Sequence, residues 1–433
     1  MLKRIFACEF KMDRAQYATM HDSFMKAIAR DFVNDVAATA ALQSVDIPWM
    51  AHRLVTFPPI PLKKKQPWEG LASVEVIDPL VAEVNLEPLL KGLSSSISIP
   101  LLYGRKYIEE NPSVLTDWDC FASQAVPLLA LGVPSWIPFP FLPGFRKGVQ
   151  ARGRLLEKLG RVYERLQQQQ QQQGRDGDRE GDEDENELSP HMLERLKVFD
   201  EHNVSTQERV AIELSMLWAQ NKNTQMLLFW FVFYIYSEPG LLGILREEVA
   251  GSGALSFSNS ELTGLDVARL GKECLLLRSC FLETFRLAEE SVMFRQVTGE
   301  VTVDEGKIKH RLRPGSWVSV ANTRTNRDES LYPAPKKFVP DRFIDGGANG
   351  GQRTVSYGPL RPWGIGPGVC KGRTFAEKQL LAVAACIITL WDVEPMEGKW
   401  THPGFKAGAT ILAPANKLRV RLRRREFTAP FST

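Results

Sequence analysis

Residues 362–375 read PWGIGPGVCKGRTF. Glycine stands at 364, 366 and 368, cysteine at 370 and glycine again at 372. Beyond them Phe375, Leu380, Val383, Ala384, Ile387 and Ile388 recur at helical spacing. The pattern is a glycine-rich turn with a thiol at the mouth of a helix. Only the thiolate is a good metal ligand, and the unpaired N–H groups of a helix N-terminus favour that anion. Gly364, Gly366 and Gly368 carry no Cβ, so the backbone can approach a flat group lying on the sulfur. Trp363 is placed to pack beside it. Taken alone, a small buried cysteine behind an ordinary turn satisfies the same pattern. A second anchor is needed.

Glu283-Thr284-Phe285-Arg286 supplies one. An acid and a base at i and i+3 share a helix face, and on a surface such a pair is worth little. Its neighbourhood, CFLETFRLA, is apolar, which predicts a buried pair in need of further hydrogen bonds. Downstream, PKKFVPDRF at 335–343 adds Arg342.

Composition excludes several alternatives. The chain has 433 residues, 44% hydrophobic and 24% charged, enough for a large core. A net charge of +3 gives no case for a nucleic-acid partner. Six scattered cysteines without a CxxC pair point to a reduced compartment. The start, MLKRIFACEFKMDRAQ, has no sustained apolar run and reads as neither signal peptide nor anchor. The longest apolar run, MLLFWFVFYIY at 226–236, is too short to span a bilayer and reads as a buried helix. No transmembrane segment is expected.

Along the chain, residues 16–44 carry helical periodicity and TFPPIPLKKKQP at 56–67 is a connector. Residues 126–144 are apolar but rich in proline, which forbids one continuous helix and predicts a loop, buried or touching a membrane. Seven glutamines at 167–173 and an acidic stretch to 187 read as a disordered insertion. Helices are expected at 189–201, from a Ser205/Glu208 capping box to about Ser237, and over 266–288. Strands are expected between Val297 and Val320 around an Arg313-Pro314-Gly315 turn, and at 417–425. The fold class is mainly α with a minor β-sheet part.

With Trp363, Gly366, Cys370 and Gly372 on an F-x-x-G-x-R-x-C-x-G frame, Glu283 and Arg286 on E-x-x-R, and Pro340 to Phe343 on P-x-R-F, the chain resembles a cytochrome P-450, a haem-thiolate monooxygenase. The resemblance covers roughly residues 70–425. It implies one catalytic domain over 1–433, with haem b lying between the long distal helix and the cysteine loop. It implies that Cys370 is the axial iron ligand and that Glu283, Arg286 and Arg342 form a buried network beneath the haem. It implies O2, a lipophilic small-molecule substrate and NADPH-cytochrome P-450 reductase as partners, at the cytosolic face of the endoplasmic reticulum membrane, with the 132–144 loop touching the membrane surface. Relative to the family the chain starts late, so a truncated, non-catalytic haem-binding form is an alternative. Trp49-x-x-x-Arg53 matches the family's propionate-binding motif only superficially, because the helix near 20–33 fits that place in the fold better.

The sequence also departs from the frame. The family's cation two residues before the cysteine is Gly368 here, which makes Arg295 the candidate haem-propionate partner. On the long helix, Asn223 replaces the acid and Thr224 remains as the catalytic pair. An amide can position water but cannot donate a proton as a carboxylic acid does. The W-A-x-x-x-N-T pattern resembles the branch of bile-acid steroid hydroxylases and prostacyclin synthase, with many relatives in filamentous fungi and in secondary metabolism. The expected reaction is oxygen insertion into a terpenoid, steroid-like or other secondary metabolite. A haem isomerase acting on a peroxide is the second alternative. Trp218, Ala219, Asn221, Val292, Met293 and Phe294, with Ser291 beside them, are the candidate pocket linings.

Overall fold

This computed structural model describes residues 11, 13–58, 65–136, 142–176, 188–346, 352–406, 408 and 410–426. In chain order the helices that position the site are α1 (Arg14–Phe32), α2 (Leu86–Tyr103), α3 (Pro143–Asp176), α4 (Thr206–Ser237), α5 (Leu275–Ala288), α6 (Asn322–Asn326) and α7 (Arg373–Leu390). The strands are β1 (Glu75–Asp78), β2 (Val81–Asn85), β3 (Val292–Gln296), β4 (Trp317–Ala321), β5 (Trp391–Pro395) and β6 (Arg419–Arg424).

The expected capping box starts α4, with the Ser205 N–H donating to Glu208 Oε2 at 3.0 Å. Every residue of the apolar run 226–236 is buried. A helix this apolar on all sides lies inside the molecule. Arg195, on the helix Pro190–Glu201, forks onto Glu213 of α4 with two bonds of 2.8 Å, and both side chains are buried. Against α2, Ser98 Oγ donates to Asn221 Oδ1 at 2.7 Å, and Gln225 Nε2 donates to Ser95 Oγ. One connected hydrophobic core runs through these helices, α5 and α7.

The small sheets follow the strand periodicity. Strands β1, β2, β6 and β5 pair in that order, all antiparallel, with Arg419 opposite Asn85 and Arg424 opposite Trp391. In β6, Val420 and Leu422 are buried while the arginines between them are not. Strands β3 and β4 form a separate pair, with Met293 opposite Val320. The Arg313-Pro314-Gly315 turn closes by a 3.1 Å bond from Ser316 N–H to Arg313 O, with Gly315 at φ +87°.

Two expectations are revised. The helix over 266–288 is two, Val267–Glu273 and α5, because Cys274 takes φ −93°, ψ 75°. Glu248 then accepts the N–H groups of Leu276 and Leu277 at 2.7 and 2.9 Å, replacing the lost helical partners. The helical periodicity over 16–44 is present as α1 and Asp35–Gln43, with Asn34 capping the second. Helix α3 runs through the glutamines to Asp176, so that part of 167–187 is helical. Glutamine is a good helix former, and an amphipathic helix already under way upstream spares it the cost of nucleation. Residues 177–187 lie outside the described residues, as do 137–141 of the proline-rich loop. Among the described residues no single helix is long and apolar enough to cross a membrane.

Asn221 makes two buried hydrogen bonds, to Ser98 and to Leu217 O at 2.9 Å. Replacing it with alanine leaves the Ser98 hydroxyl only its longer bond to Ser95 O, at 3.3 Å. Asn221→Ala is expected to cost about 1–3 kcal/mol in denaturant titration.

Candidate active site

The turn before α7 is shaped by Gly364 and Gly366, at φ +75° and +67°, where a side chain would be strained. Within it the Cys370 N–H donates to Trp363 O at 2.9 Å and the Val369 N–H to Gly366 O at 3.0 Å. Trp363 seats on α5, edge-on to Phe285 at 5.0 Å and stacked on Phe281 at 6.3 Å. Cys370 then lines a cavity of about 600 Å³. Its sulfur accepts the Gly372 N–H at 3.4 Å.

Cys370 lies ahead of the first residue of α7 rather than on its end. Burial pushes its thiol up, opposed by the Gly372 N–H and by the charges of Arg373 and Lys371. A coordinated cation is the stronger route to the thiolate.

Beneath the cavity, Glu283 and Arg286 are 0% exposed. Arg286 Nε and Nη2 each donate to the Glu283 carboxylate at 2.7 Å. Its other N–H groups reach Asn326 O at 2.6 Å, Pro335 O at 2.7 Å and Lys337 O at 3.3 Å. Arg342 Nε and the Val339 N–H also donate to Glu283 Oε1, at 3.0 and 3.1 Å. The buried network read from the sequence is formed, with all three members in contact.

The opposite wall comes from α4, whose Ala219, Gln220, Asn223 and Thr224 line the cavity. Gln220 Nε2 and Asn223 Oδ1 are buried there without a hydrogen-bond partner. Thiol, glycine turn and distal Asn–Thr pair thus line one cavity.

The Cytochrome P-450 family pattern matches residues 95–421. The chain belongs to the cytochrome P-450 family. It is 26% identical over 303 residues to the cytochrome P-450 monooxygenase poxD of Penicillium oxalicum, covering 70% of this chain and 57% of that one. It is 29% identical over 198 residues to the 25-hydroxycholesterol 7-alpha-hydroxylase of Rattus norvegicus, covering 44% of this chain and 47% of that one. The chain spans about half the length of the curated relatives it matches. Among solved structures, retinoic acid bound cyanobacterial CYP120A1 matches with a TM-score of 0.66 and 21% identity, over 96% of this chain and 80% of that one. That likeness is one of fold.

Within the P-450 frame, the remaining site residues divide by secondary-structure period. On α4, Trp218 and Asn221 face away from the cavity, because residues 219, 220, 223 and 224 already occupy the cavity face. On β3 Met293 lines the cavity, while its neighbours Val292 and Phe294 alternate outward and are exposed. Ser291 and Gly372 line the cavity; Gly366 does not and acts through the turn. Arg295 reaches the cysteine loop, its Nη2 donating to Ile365 O at 3.1 Å. Nη2 lies 3.4 Å from where a Cβ on Gly368 would stand. The guanidinium thus lies beside the open face of Gly368, while Arg295 itself is exposed and does not line the cavity.

Sequence reading missed two further walls. Tyr17, His21, Phe24 and Ile28 of α1 line the cavity. Their i, i+3/i+4 stripe was legible as a helix face, and its polar-tipped Tyr17 and His21 were the signal that it fronts a site rather than plain core. Glu289 and Asn322 also line it, from segments with no periodic signature.

Removing the Glu283 carboxylate strands two guanidinium groups. Glu283→Ala is expected to destabilise the chain by about 3–5 kcal/mol, read from a denaturant midpoint. Arg342→Ala, at the better solvated edge of the network, is expected to cost less.

Proposed function

We propose that this chain is a single catalytic domain, a haem-thiolate monooxygenase that inserts one oxygen atom from O2 into a lipophilic small molecule. The substrate class is a terpenoid, steroid-like molecule or other secondary metabolite, and electrons come from NADPH-cytochrome P-450 reductase. The observation that carries this reading is Cys370, which faces Asn223 and Thr224 across one cavity.

The residues present suit haem b. The Cys370 sulfur opens to the cavity, and a Cβ on Gly372 would stand 3.9 Å from it, so a glycine there leaves room for a flat group lying on the thiol. When bound, haem supplies O2 activation, with the thiolate favouring O–O cleavage. Cys370 would hold the iron, and Trp363 with the glycine turn would set the depth of the sulfur. Arg295 would give a haem propionate the cation that position 368 does not. Thr224 both donates and accepts, so it would hold a proton in the cavity, while Asn223 would orient a neighbour without serving as an acid. The apolar lining excludes bulk water and selects a lipophilic ligand.

The amide at 223 also favours a second reading, a haem isomerase rearranging a peroxide without O2 or reductase. Leu131 and Trp136, 82% and 78% exposed, flank the proline-rich loop. They support contact of the 132–144 loop with a membrane surface, placed by family resemblance at the cytosolic face of the endoplasmic reticulum.

The reduced protein with carbon monoxide is expected to give a long-wavelength Soret band that Cys370→Ala abolishes. O2 consumption that requires both NADPH and reductase then supports the monooxygenase. Turnover of a lipid peroxide without reductase supports the isomerase instead. A second test concerns the displaced cation. Arg295→Ala is expected to lower haem retention about tenfold, as for a lost bond to a charged group. Adding Gly368→Arg to it is expected to restore retention, and failure of that rescue removes Arg295 from the haem site.

A further inference from the structure

We propose that Glu289 is the specificity-determining residue of this cavity, and that the substrate carries a hydroxyl whose O–H donates to it. The proposal rests on the monooxygenase reading of the same cavity.

Glu289 follows the last turn of α5, is 3% exposed and lines the cavity. Its Oε1 accepts from Ser291 Oγ and, at 3.0 Å, from Asn322 Nδ2. Its Oε2 accepts only from Asn326 Nδ2, at 3.1 Å. A carboxylate has about four acceptor sites, so these three donors leave one on Oε2 unused. Among the described residues Glu289 is the sole carboxyl lining the cavity and has no cation paired with it. Burial pushes its carboxyl up, and only the three neutral donors oppose that.

A tie between the end of α5 and α6 needs no such group. A neutral amide would serve it without the cost of burying a charge. The unused acceptor makes sense if a ligand completes it. The walls beside it, Phe285, Met293 and Ile411, are apolar, so the ligand's body is lipophilic and its donor is isolated. An ammonium would shed far more hydration on entry than a hydroxyl. A ketone or ether oxygen in the same place would meet the carboxylate's lone pairs, so the group also rejects ligands that only accept.

The test is equilibrium dialysis of the haem-loaded chain against dodecan-1-ol, its methyl ether and dodecane. A flexible chain lets the hydroxyl reach Glu289 without presupposing a ring shape. The alcohol is expected to bind about tenfold or more tighter than the ether. Glu289→Gln is expected to cut that preference to under about threefold, since a neutral acceptor is roughly half as strong. Val292→Ala, on an exposed side chain outside the cavity, is expected to leave it intact. Equal retention of alcohol and ether, with or without measurable binding, overturns the proposal. So does a preference that survives Glu289→Gln or disappears in Val292→Ala. Should Glu289→Gln fail to fold, the alcohol–ether comparison on the unaltered chain still decides. The carbon monoxide spectrum of the same preparation reports separately on the haem-thiolate reading, and the dialysis reads Glu289 whatever that spectrum shows.

Discussion

Glu283 is a carboxylate with no contact with water, and the proximal half of the site is built to satisfy its oxygens. It accepts four hydrogen bonds, two from Arg286, one from Arg342 and one from the Val339 N–H. Arg286 in turn spends all five of its N–H groups, three of them on the carbonyls of residues 326, 335 and 337. The carbonyl of 326 ends α6, and those of 335 and 337 belong to a segment without regular structure, which has no ladder of its own to satisfy them. The network therefore fixes irregular chain against α5. Helix α5 carries Phe281 and Phe285, on which Trp363 sits, and the Trp363 carbonyl accepts the Cys370 N–H. The depth of the sulfur follows from a buried ion pair through two aromatic contacts and one hydrogen bond.

What the sequence made legible were features governed by short-range rules. The capping box at Ser205, the alternation in 417–425 and the glycine turn before α7 depend on a few neighbouring residues, and each is present. The buried state of Glu283 was legible because apolar residues flank it on every side. The break at Cys274 was not, because it depends on Glu248, far away in sequence, capturing two N–H groups. Pocket linings failed for a related reason. Trp218, Val292 and Phe294 were chosen by proximity to a motif, yet period decides facing, and a shift of one residue on a strand turns a side chain outward.

The Arg295–Gly368 pair shows a similar limit from the other side. Aligning a motif asks which residue stands at a position, whereas the chemistry needs a charge at a place. Arg295 lies 73 positions before Gly368, a separation read directly from their numbers, and β3 returns it to the loop. Beside the glycine at 368, the guanidinium arrives from the neighbouring strand and bonds Ile365 O.

The distribution of polar atoms across the cavity carries the same logic to the ligand. On α4 the acid of the family frame is an amide, so that wall offers Gln220 Nε2 as a donor and Asn223 Oδ1 as an acceptor, both unspent. The carboxyl appears instead on the far wall, as Glu289. Buried polar groups left unpaired cost about 1–3 kcal/mol each. A cavity that leaves them so across an apolar gap is least stable empty. It gains most from a rigid or chain-like lipophile with oxygen at two separated points. A plain hydrocarbon would desolvate these groups without pairing them, so the walls disfavour it relative to a lipophile that carries oxygen.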